Sequence, residues 1–405
     1  MTITLAKLAP AIQHYEWGGT EFIPQLLQRP NPQKRPFAEL WFGAHTQSPS
    51  MVLLGNRTMP LSQWIATAPQ SILGEESIHR FGVQLPYLFK VLDARKMLSI
   101  QVHPSKALAE EGFARENNAA ISLDAPHRLY RDDNHKPEAH IAQGDFWLLH
   151  GFRDPNEIMT SFSQNPSFNE LLPLFADTRL RTLYHTVMEL PQDTINRILT
   201  ALCVRLQPAF RAGQLKKSTH DYWAARACLE FVRQDGQWDR GIIAIYFLNL
   251  IGLKAGQGTF QPAGLPHAYL EGVTIELMAN SDNVVRGGLT SKYIDLPELL
   301  RITNFTSSRP ELLKSKMVSD EERVYRTSAP DFLLSQIRLS QGQRYQCAVD
   351  HGPDCYLLLN GQVQAVSERQ TLKCCRGEAF FAPAVLAYHL QCESDAVLFK
   401  ASVPL

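Results

Sequence analysis

The stretch that most constrains the fold of this chain is GQGTFQPAGLPHAYLEGVTIELMANSDNVVRGGLTSK, residues 256–292. It opens with a distinctive spacing of four residues: Gly256, Pro262, Gly264 and His267. Glycine weakens a strand interior and proline cannot donate to a sheet ladder, so both favour the start of a strand. An imidazole at such a position is a common ligand of a divalent metal ion.

This spacing resembles the second metal motif of the cupin family of barrels. In that motif the glycine and proline shape the entry to a strand whose histidine points into the barrel. The spacing returns incompletely near the C-terminus, where Gly377 and Pro383 are kept but Val385 and Tyr388 replace the second glycine and the histidine. Because a phenol is a poor substitute for imidazole on zinc, we predict a second, metal-free barrel there.

The composition limits the classes of partner. A chain of 405 residues predicts two or three domains. Lys+Arg and Asp+Glu are 40 each, so the net charge of zero gives no footprint for nucleic acid or an anionic membrane. The N-terminal residues contain no apolar run long enough for a signal sequence or a membrane span. We therefore expect a soluble, cytoplasmic protein without nucleic-acid or membrane partners.

The cysteines predict no disulfide framework. There are seven, an odd number, and none forms a CxxC pair. Without a secretion signal, the expected state is reduced and mostly buried thiols.

The predicted fold class is mainly β with an α-helical insertion: two cupin (jelly-roll) barrels plus a helical subdomain. The catalytic, metal-binding cupin domain is discontinuous and comprises residues 1–152 and 241–312. Helical periodicity over residues 153–240 predicts the insertion, in which Pro191 stands where a helix-opening proline belongs. Residues 313–405 are β-rich and form the C-terminal metal-free jelly-roll domain.

Residues 85–104 present potential ligands at alternate positions. The segment predicts two β-rich runs joined by a polar turn, which together form a hairpin. In the second run, strand alternation puts Ser99, Gln101 and His103 on one face.

A second polar strand is predicted in YRDDNHKPEAH, residues 130–140. Alternation puts Lys136 and Glu138 on one face and turns His135 to the other. Pro137 predicts an edge strand or the start of a strand, because it cannot donate to a ladder.

Four groups therefore stand out as metal ligands: Gln101, His103, Glu138 and His267. Two imidazoles, one carboxylate and one amide oxygen, with no thiolate, suit a catalytic Zn²⁺ that keeps a position open for water or substrate. A single strand histidine is more often a hydrogen-bonded structural residue. That alternative weakens when three segments each present a ligand within a polar motif.

Glu276 is a candidate for a carboxylate that faces the metal. A two-residue hairpin turn at Glu271 and Gly272 would set Glu276 opposite His267 on the same face. The alternative is a solvated glutamate on the outer face of the strand, which is the ordinary fate of a strand glutamate.

Residues 280–292 form a predicted loop that carries Asp282, Arg286 and Lys292 around a pair of glycines. Basic side chains beside a glycine-rich turn can bind a phosphate through charge-assisted hydrogen bonds. The alternative is an ordinary surface loop with solvated charges. Lys90, on the predicted hairpin, leaves the same two interpretations open.

Longer motifs carry a more specific resemblance. Three segments resemble the signatures of the type I mannose-6-phosphate isomerase (phosphomannose isomerase) family: QVHPSK at 101–106, YRDDNHKPEAH at 130–140 and HAYLEGVTIELMANSDNVVRGGLTSK at 267–292. The family implies one zinc ion per chain and interconversion of mannose 6-phosphate and fructose 6-phosphate through an enediol(ate). These sugar phosphates are the partners implied, and we expect a monomer.

The resemblance also implies roles for single residues. By motif position the zinc ligands are Gln101, His103, Glu138 and His267, Arg286 falls on the family's active-site arginine, and the residues linked to phosphate binding are Lys90, Ser99 and Lys292. Ser291 departs from the family, which usually has proline there, and this puts the rigidity of the phosphate loop in question.

The residue that moves the proton is left open among Glu276, Lys136, His135 and Asp282. Because strict alternation turns His135 away from Lys136, Lys136 and Glu276 are favoured, with Asp282 assisting ring opening or orienting a partner. Two other functions compete: a different metal-dependent cupin enzyme acting on a sugar phosphate, and a non-catalytic sugar-binding protein with two cupin barrels.

Overall fold

The computed structural model describes residues 3–175, 177–231, 236–347 and 351–404. Within these ranges the strands are β1 Ala6–Ala9, β2 Ala11–Gln13, β3 Glu39–Phe42, β4 Met51–Leu54, β5 Arg57–Pro60, β6 Tyr87–Ala94, β7 Ile100–Val102, β8 Glu138–Ala142, β9 Phe146–Phe152, β10 Leu248–Leu253, β11 Gly258–Gln261, β12 His267–Ala279, β13 Val285–Gly288, β14 Ser315–Met317, β15 Glu322–Tyr325, β16 Leu333–Leu339, β17 Arg344–Gln346, β18 Asp354–Ser367, β19 Thr371–Cys375, β20 Ala379–Ala382 and β21 Tyr388–Ser402.

Five of the eleven described α-helices lie between β9 and β10. The described α-helices are α1 Phe22–Leu26, α2 Leu61–Thr67, α3 Pro69–Leu73, α4 Glu75–Phe81, α5 Lys106–Asn118, α6 Pro155–Ser163, α7 Leu180–Glu189, α8 Gln192–Arg211, α9 His220–Glu230, α10 Gly241–Ala244 and α11 Leu296–Ile302. Short 3₁₀ turns occupy Pro166–Phe168, Leu172–Leu174 and Ile245–Phe247. The prediction of a mainly β chain with helices is confirmed. Of the described helices, none is both long and apolar enough to cross a membrane.

The predicted ligands lie on a sheet with the strand order β10-β9-β12-β6-β3-β2, to which β7, β8, β11 and β13 also pair. β6 and β7 do not pair with each other, so the hairpin predicted over residues 85–104 is wrong. Instead, each of the two pairs with β12, β6 along its second half and β7 at its first residue. β12 is thus the element that joins the separate ligand-bearing segments.

The turn predicted at Glu271 and Gly272 is also wrong, because both residues lie inside β12. The pairing of β12 with β9 shifts register between Tyr269 and Glu271, which marks a β-bulge. Gly272 adopts φ +126°, and a Cβ there would lie 2.5 Å from the carbonyl oxygen of Asp145. A glycine is therefore required where the strand bends.

The bulge changes which side chains of β12 face the site. Before it, Tyr269 points inward and Leu270 packs into the apolar core beneath the helices. After it, Glu276 points inward, while its neighbour Ile275 packs into the core between the sheets. An extra residue reverses the alternation, so His267 and Glu276 share a face although their numbers differ in parity.

The second sheet has the order β14-β15-β16-β21-β18-β20-β1-β4-β5. Its C-terminal strands are the β-rich block predicted after residue 313. β1 adds to it by pairing Ala6 with Phe381 of β20, and β4 and β5 follow at its edge. The first 60 residues therefore supply strands to both sheets. Residues that the predicted boundaries assign to the catalytic domain thus also contribute strands to the sheet of the C-terminal part.

Helices occupy the segment between β9 and β10, where the periodicity of the sequence predicts them. α8 starts directly after Pro191, the expected helix-opening residue. Apolar side chains of α7, α8 and α9 form one core with Leu149 of β9 and Leu248 of β10. The helices thus cover one face of the ligand-bearing sheet.

One prediction about the cysteines is wrong. Cys203 of α8 and Cys228 of α9 form a disulfide across the packed helices. The chain lacks a CxxC pair, but that pattern says nothing about two cysteines that meet through helix packing. The other five cysteines are free, and of these Cys375 alone is not fully buried.

Alkylation of the denatured, unreduced protein is expected to label five cysteines, and prior reduction is expected to raise the number to seven. Intact-mass spectrometry counts the labels. In Cys228→Ser, which frees Cys203, six labels are expected without reduction. Seven labels on the unreduced parent protein would show that the α8–α9 bond does not form.

Candidate active site

Three of the four predicted ligands meet at one point. Atoms of His103, Glu138 and His267 all lie within 4.8 Å of one another, and all three side chains are buried. Glu138 opens β8 immediately after Pro137, which confirms the strand start predicted from that proline. His267 opens β12 and pairs with Gln101 of β7, two residues before His103. The sheet pairings therefore hold the ligands together.

The carboxylate of Glu138 lies between the two imidazoles. Its Oε1 is 3.4 Å from Nε2 of His103, and its Oε2 is 3.2 Å from Nε2 of His267. The Nδ1 atoms face carbonyl oxygens, that of His103 toward Asn283 at 2.8 Å and that of His267 toward Leu265 at 2.9 Å. A carbonyl only accepts, so each Nδ1 donates to its carbonyl and each Nε2 is directed toward the carboxylate.

This arrangement fits a bound cation. Nε2 of His103 has no hydrogen-bond partner among the described residues, although its side chain is fully buried. Burial lowers the pKa of His103 to about 4, so the ring is neutral near pH 7. Two imidazole nitrogens and a carboxylate form the donor set of a catalytic zinc site.

Gln101 lines the same small cavity as Glu138 and His267, with a volume of about 60 Å³. Its amide nitrogen donates to Oγ of Ser99 at 3.3 Å. The structure thus brings the fourth predicted ligand to the rim of the cluster, where an amide oxygen can complete the donor set.

Lys136 contacts the metal-site carboxylate directly. Its Nζ lies 2.7 Å from Oε1 of Glu138, and both side chains are buried. Burial alone would raise the pKa of Glu138, but the Lys136 ammonium and the histidine contacts hold that pKa well below its usual range. Glu138 is therefore ionised and able to bind a cation.

Glu276 lies in a second buried carboxylate cluster beside the first. Its Oε1 accepts a hydrogen bond from the Tyr269 hydroxyl at 2.8 Å, and its Oε2 is 3.2 Å from Nζ of Lys90. Lys90 stands directly opposite Glu276 across β6 and β12 and also lies 3.9 Å from Glu39. Burial raises the pKa of Glu276 although Lys90 opposes that shift.

Basic side chains surround the entrance to these clusters. Arg286 and Lys292 line both of two adjoining cavities, of about 490 and 550 Å³. Ser99 lines the first, and Arg131 lines the second together with Lys90, Lys136 and Asp282. Burial, followed by repulsion from Arg286 and Arg131, lowers the pKa of Lys292. An anion placed among these cations would relieve that repulsion.

The loop that carries Lys292 is held by an aspartate of the helical region. Asp239 accepts backbone hydrogen bonds from Leu289 at 3.0 Å and Thr290 at 2.9 Å. Gly241, two residues after Asp239, packs against Gly288. A Cβ added to Gly288 would lie 2.4 Å from the Cα of Gly241. These backbone contacts thus restrain the loop that carries Lys292. Ser291, which stands where the family usually has proline, does not supply that rigidity.

Two predicted catalytic residues lie apart from the cluster. Nε2 of His135 is 2.9 Å from Oδ2 of Asp331, a residue of the C-terminal part of the chain. Asp282 borders the larger cavity, but its carboxylate is 3.1 Å from Nε2 of His45. The structure therefore brings Lys136 and Glu276 to the metal cluster and turns His135 away from it.

Sequence reasoning missed the residues that orient the cluster. Asn283 is fully buried, offers its carbonyl to His103, and uses its side chain to bind the backbone of Arg131 and Asp132. Tyr269 could have been found from its position two residues after His267 on the same strand. Glu39 gave no signal, because its partner Lys90 belongs to a different strand.

Comparison with known proteins identifies the family. The model of "Phosphomannose isomerase type I, catalytic domain" matches residues 5–155. Mannose-6-phosphate isomerase of Salmonella typhimurium is 36% identical over 337 residues, covering 82% of this chain and 83% of the relative. The chain belongs to the type I phosphomannose isomerase family. The mouse mannose-6-phosphate isomerase is 32% identical and covers 98% of this chain and 95% of its own.

Solved structures of phosphomannose isomerases share the whole fold. The Salmonella typhimurium enzyme "bound to substrate (f6p) and metal atom (zn)" has a TM-score of 0.86 at 32% identity, covering 99% of this chain and 100% of that one. A zinc-bound mannose 6-phosphate isomerase structure has the same TM-score and coverage. The zinc ion in these relatives agrees with the donor set found here.

His267→Ala is expected to abolish zinc binding, because the two remaining cluster ligands, His103 and Glu138, no longer enclose the ion. Zinc per chain is measured by atomic emission after dialysis. The control is His220→Ala, which removes a half-buried histidine bonded to Leu248 in the helical region and should keep the zinc. Full zinc occupancy in His267→Ala would remove His267 from the metal site.

Proposed function

We propose that this protein is a zinc-dependent aldose–ketose isomerase that interconverts mannose 6-phosphate and fructose 6-phosphate. The observation that carries the proposal is the Glu138 carboxylate held between the Nε2 atoms of His103 and His267, beside the buried Glu276 and Lys90 pair. Membership of the phosphomannose isomerase family supplies the substrate class.

His103, Glu138 and His267, with Gln101 at the rim, would hold the zinc. When bound, the ion supplies Lewis-acid stabilisation of negative charge that develops on the sugar oxygens. Asn283 and Leu265 keep the imidazoles in the tautomer that a metal ligand needs.

The isomerisation requires the sugar ring to open and a proton to move from C2 to C1. We assign that transfer to Glu276, whose raised pKa suits a group that accepts and returns a proton. Tyr269 and Lys90 fix one oxygen each and so set the direction of the carboxylate. Lys136, beside Glu138, is placed to stabilise the enediolate oxygens of the intermediate.

The phosphate group is assigned to the basic rim. Arg286 and Lys292 line both cavities, and Arg131 adds a third positive charge that the sequence motifs did not single out. Ser99 and Lys90 line these cavities at the side nearer the metal cluster. This positive charge lies where the phosphate end of a sugar phosphate bound at the metal cluster would extend.

The expectations of a monomer and of a cytoplasmic location remain predictions from the sequence. Two rival functions remain testable as well: another metal-dependent cupin reaction on a sugar phosphate, and sugar binding without turnover. The buried Glu276 and Lys90 pair favours a reaction, because a binding site gains nothing from an ionisable pair that is costly to bury.

Zinc-loaded protein mixed with mannose 6-phosphate is expected to form fructose 6-phosphate, and prior chelation is expected to abolish the reaction until zinc is restored. Product is measured with a coupled enzyme assay. Binding of mannose 6-phosphate without product would support the non-catalytic alternative, and turnover that survives complete zinc removal would refute the metal mechanism.

Glu276→Gln is expected to lower kcat by roughly 10²- to 10⁴-fold while zinc occupancy stays unchanged, because the amide cannot accept the C2 proton. Glu271→Gln is the matched control, since Glu271 lies on the same strand but faces Lys217 and Arg226 of the helical region. Steady-state rates and zinc content are measured for both variants. If Glu276→Gln keeps the parent kcat, another residue moves the proton.

Asp239→Asn is expected to raise KM for mannose 6-phosphate by about tenfold with a smaller effect on kcat, because an amide group turns an N–H toward backbone donors of the loop. Asp221→Asn, in the helical region and bonded to Tyr246, is the control. A loss of kcat at unchanged KM would show that Asp239 does not act through the phosphate loop.

A further inference from the structure

A second polar cavity lies in the C-terminal barrel, away from the site described above. Its volume is about 550 Å³, which is within the range of small-molecule sites. The ionisable side chains at its wall include Glu322, Tyr345, His351, Asp354 and Lys400. They come from β15, β17, β18, β21 and the segment before β18, so they converge from separate parts of the barrel.

Lys400 and Glu322 form the centre of the cluster. Nζ of Lys400 lies 2.7 Å from Oε1 of Glu322 and 3.3 Å from the Tyr345 hydroxyl. That hydroxyl donates to Oε2 of Glu322 at 2.6 Å. Lys400 and Glu322 retain 14% and 11% side-chain exposure, so they are desolvated but still border the open cavity.

Asp354 adds an unsatisfied acceptor to the same wall. Its Oδ2 accepts a hydrogen bond from the Tyr388 hydroxyl at 3.2 Å and is 3.3 Å from Nδ1 of His351. Its Oδ1 is buried and has no hydrogen-bond partner among the described residues. An unpaired buried carboxylate oxygen is costly, which sets this wall apart from an ordinary structural network.

The chemistry of the cluster does not suit a metal ion. Within the described ranges, histidine and acidic groups gather at metal-binding distance in the His103, Glu138 and His267 cluster and not here. The ammonium of Lys400 occupies the position beside Glu322 that a cation would need. The phenol of Tyr388 lies where the incomplete metal motif of this barrel lacks its histidine.

Donors and acceptors both line this cavity. Lys400 and Arg326 bring positive charge, while Glu322 and Asp354 bring negative charge, so the wall selects neither an anion nor a cation. Vicinal hydroxyl groups both donate and accept hydrogen bonds. They can therefore donate to a carboxylate and accept from an ammonium group at the same time. We propose that the C-terminal barrel binds a neutral, polyhydroxylated molecule of hexose size at a site separate from the catalytic one.

The test is a calorimetric titration with D-mannose of the zinc-loaded protein saturated with fructose 6-phosphate, so that the catalytic site is already filled. One binding event per chain is expected. Lys400→Met should weaken it by about tenfold or more, since a charge-assisted hydrogen bond to the sugar is lost. Lys373→Met is the matched control, because Lys373 pairs with Glu393 on the outside of the same barrel.

Lys400→Met leaves the Glu322 carboxylate without its ammonium partner, which destabilises the fold. A double variant, Lys400→Met with Glu322→Gln, removes that unpaired charge and is measured as well. Retained zinc content and an unchanged unfolding temperature show that either variant is folded. Hydrogen exchange on the parent protein locates the contact, and protection by mannose is expected in β17 and β21. The proposal fails if no mannose binds, if Lys400→Met binds it as tightly as the parent, or if protection appears elsewhere.

Discussion

The buried carboxylate of Glu138 is the interaction on which the site depends. It contacts the imidazoles of His103 and His267 and the ammonium of Lys136, and water does not reach any of these groups freely. Removing one partner would leave charge unpaired in a buried position, which costs several kcal/mol. The pairing of β8 with β12 supplies the geometry. The sheet therefore positions the side chains that balance the charge of one buried acidic residue.

The sequence predicted the site where local rules were sufficient. Strand alternation placed Gln101 with His103 and Lys136 with Glu138, and the structure brings all four to the same cavity region. Pro137 correctly marked the start of β8. Alternation over three or four residues does not depend on tertiary contacts, and the motifs of the family then indicated which of these faces point inward.

Other features required knowledge of pairing between distant segments. Glu276 faces the site as predicted, but through a bulge in one long strand and not through a hairpin turn. The sequence gives no signal for a bulge, because its position is fixed by the register with β9. For the same reason the sequence did not reveal the roles of Glu39 and Asn283, whose partners lie on other segments of the chain. It also did not reveal the bond between Cys203 and Cys228, which follows from how two helices pack.

The pairing of β1 with β20 has a consequence for how the molecule is made. Ala6 leaves the ribosome long before its partner Phe381. β1 can pair early with β4, which in turn pairs with β5, but the edge of β1 that faces β20 stays open until β20 has been translated. Closing this pairing joins segments that lie far apart in the sequence, so β20 completes a sheet that β1, β4 and β5 begin.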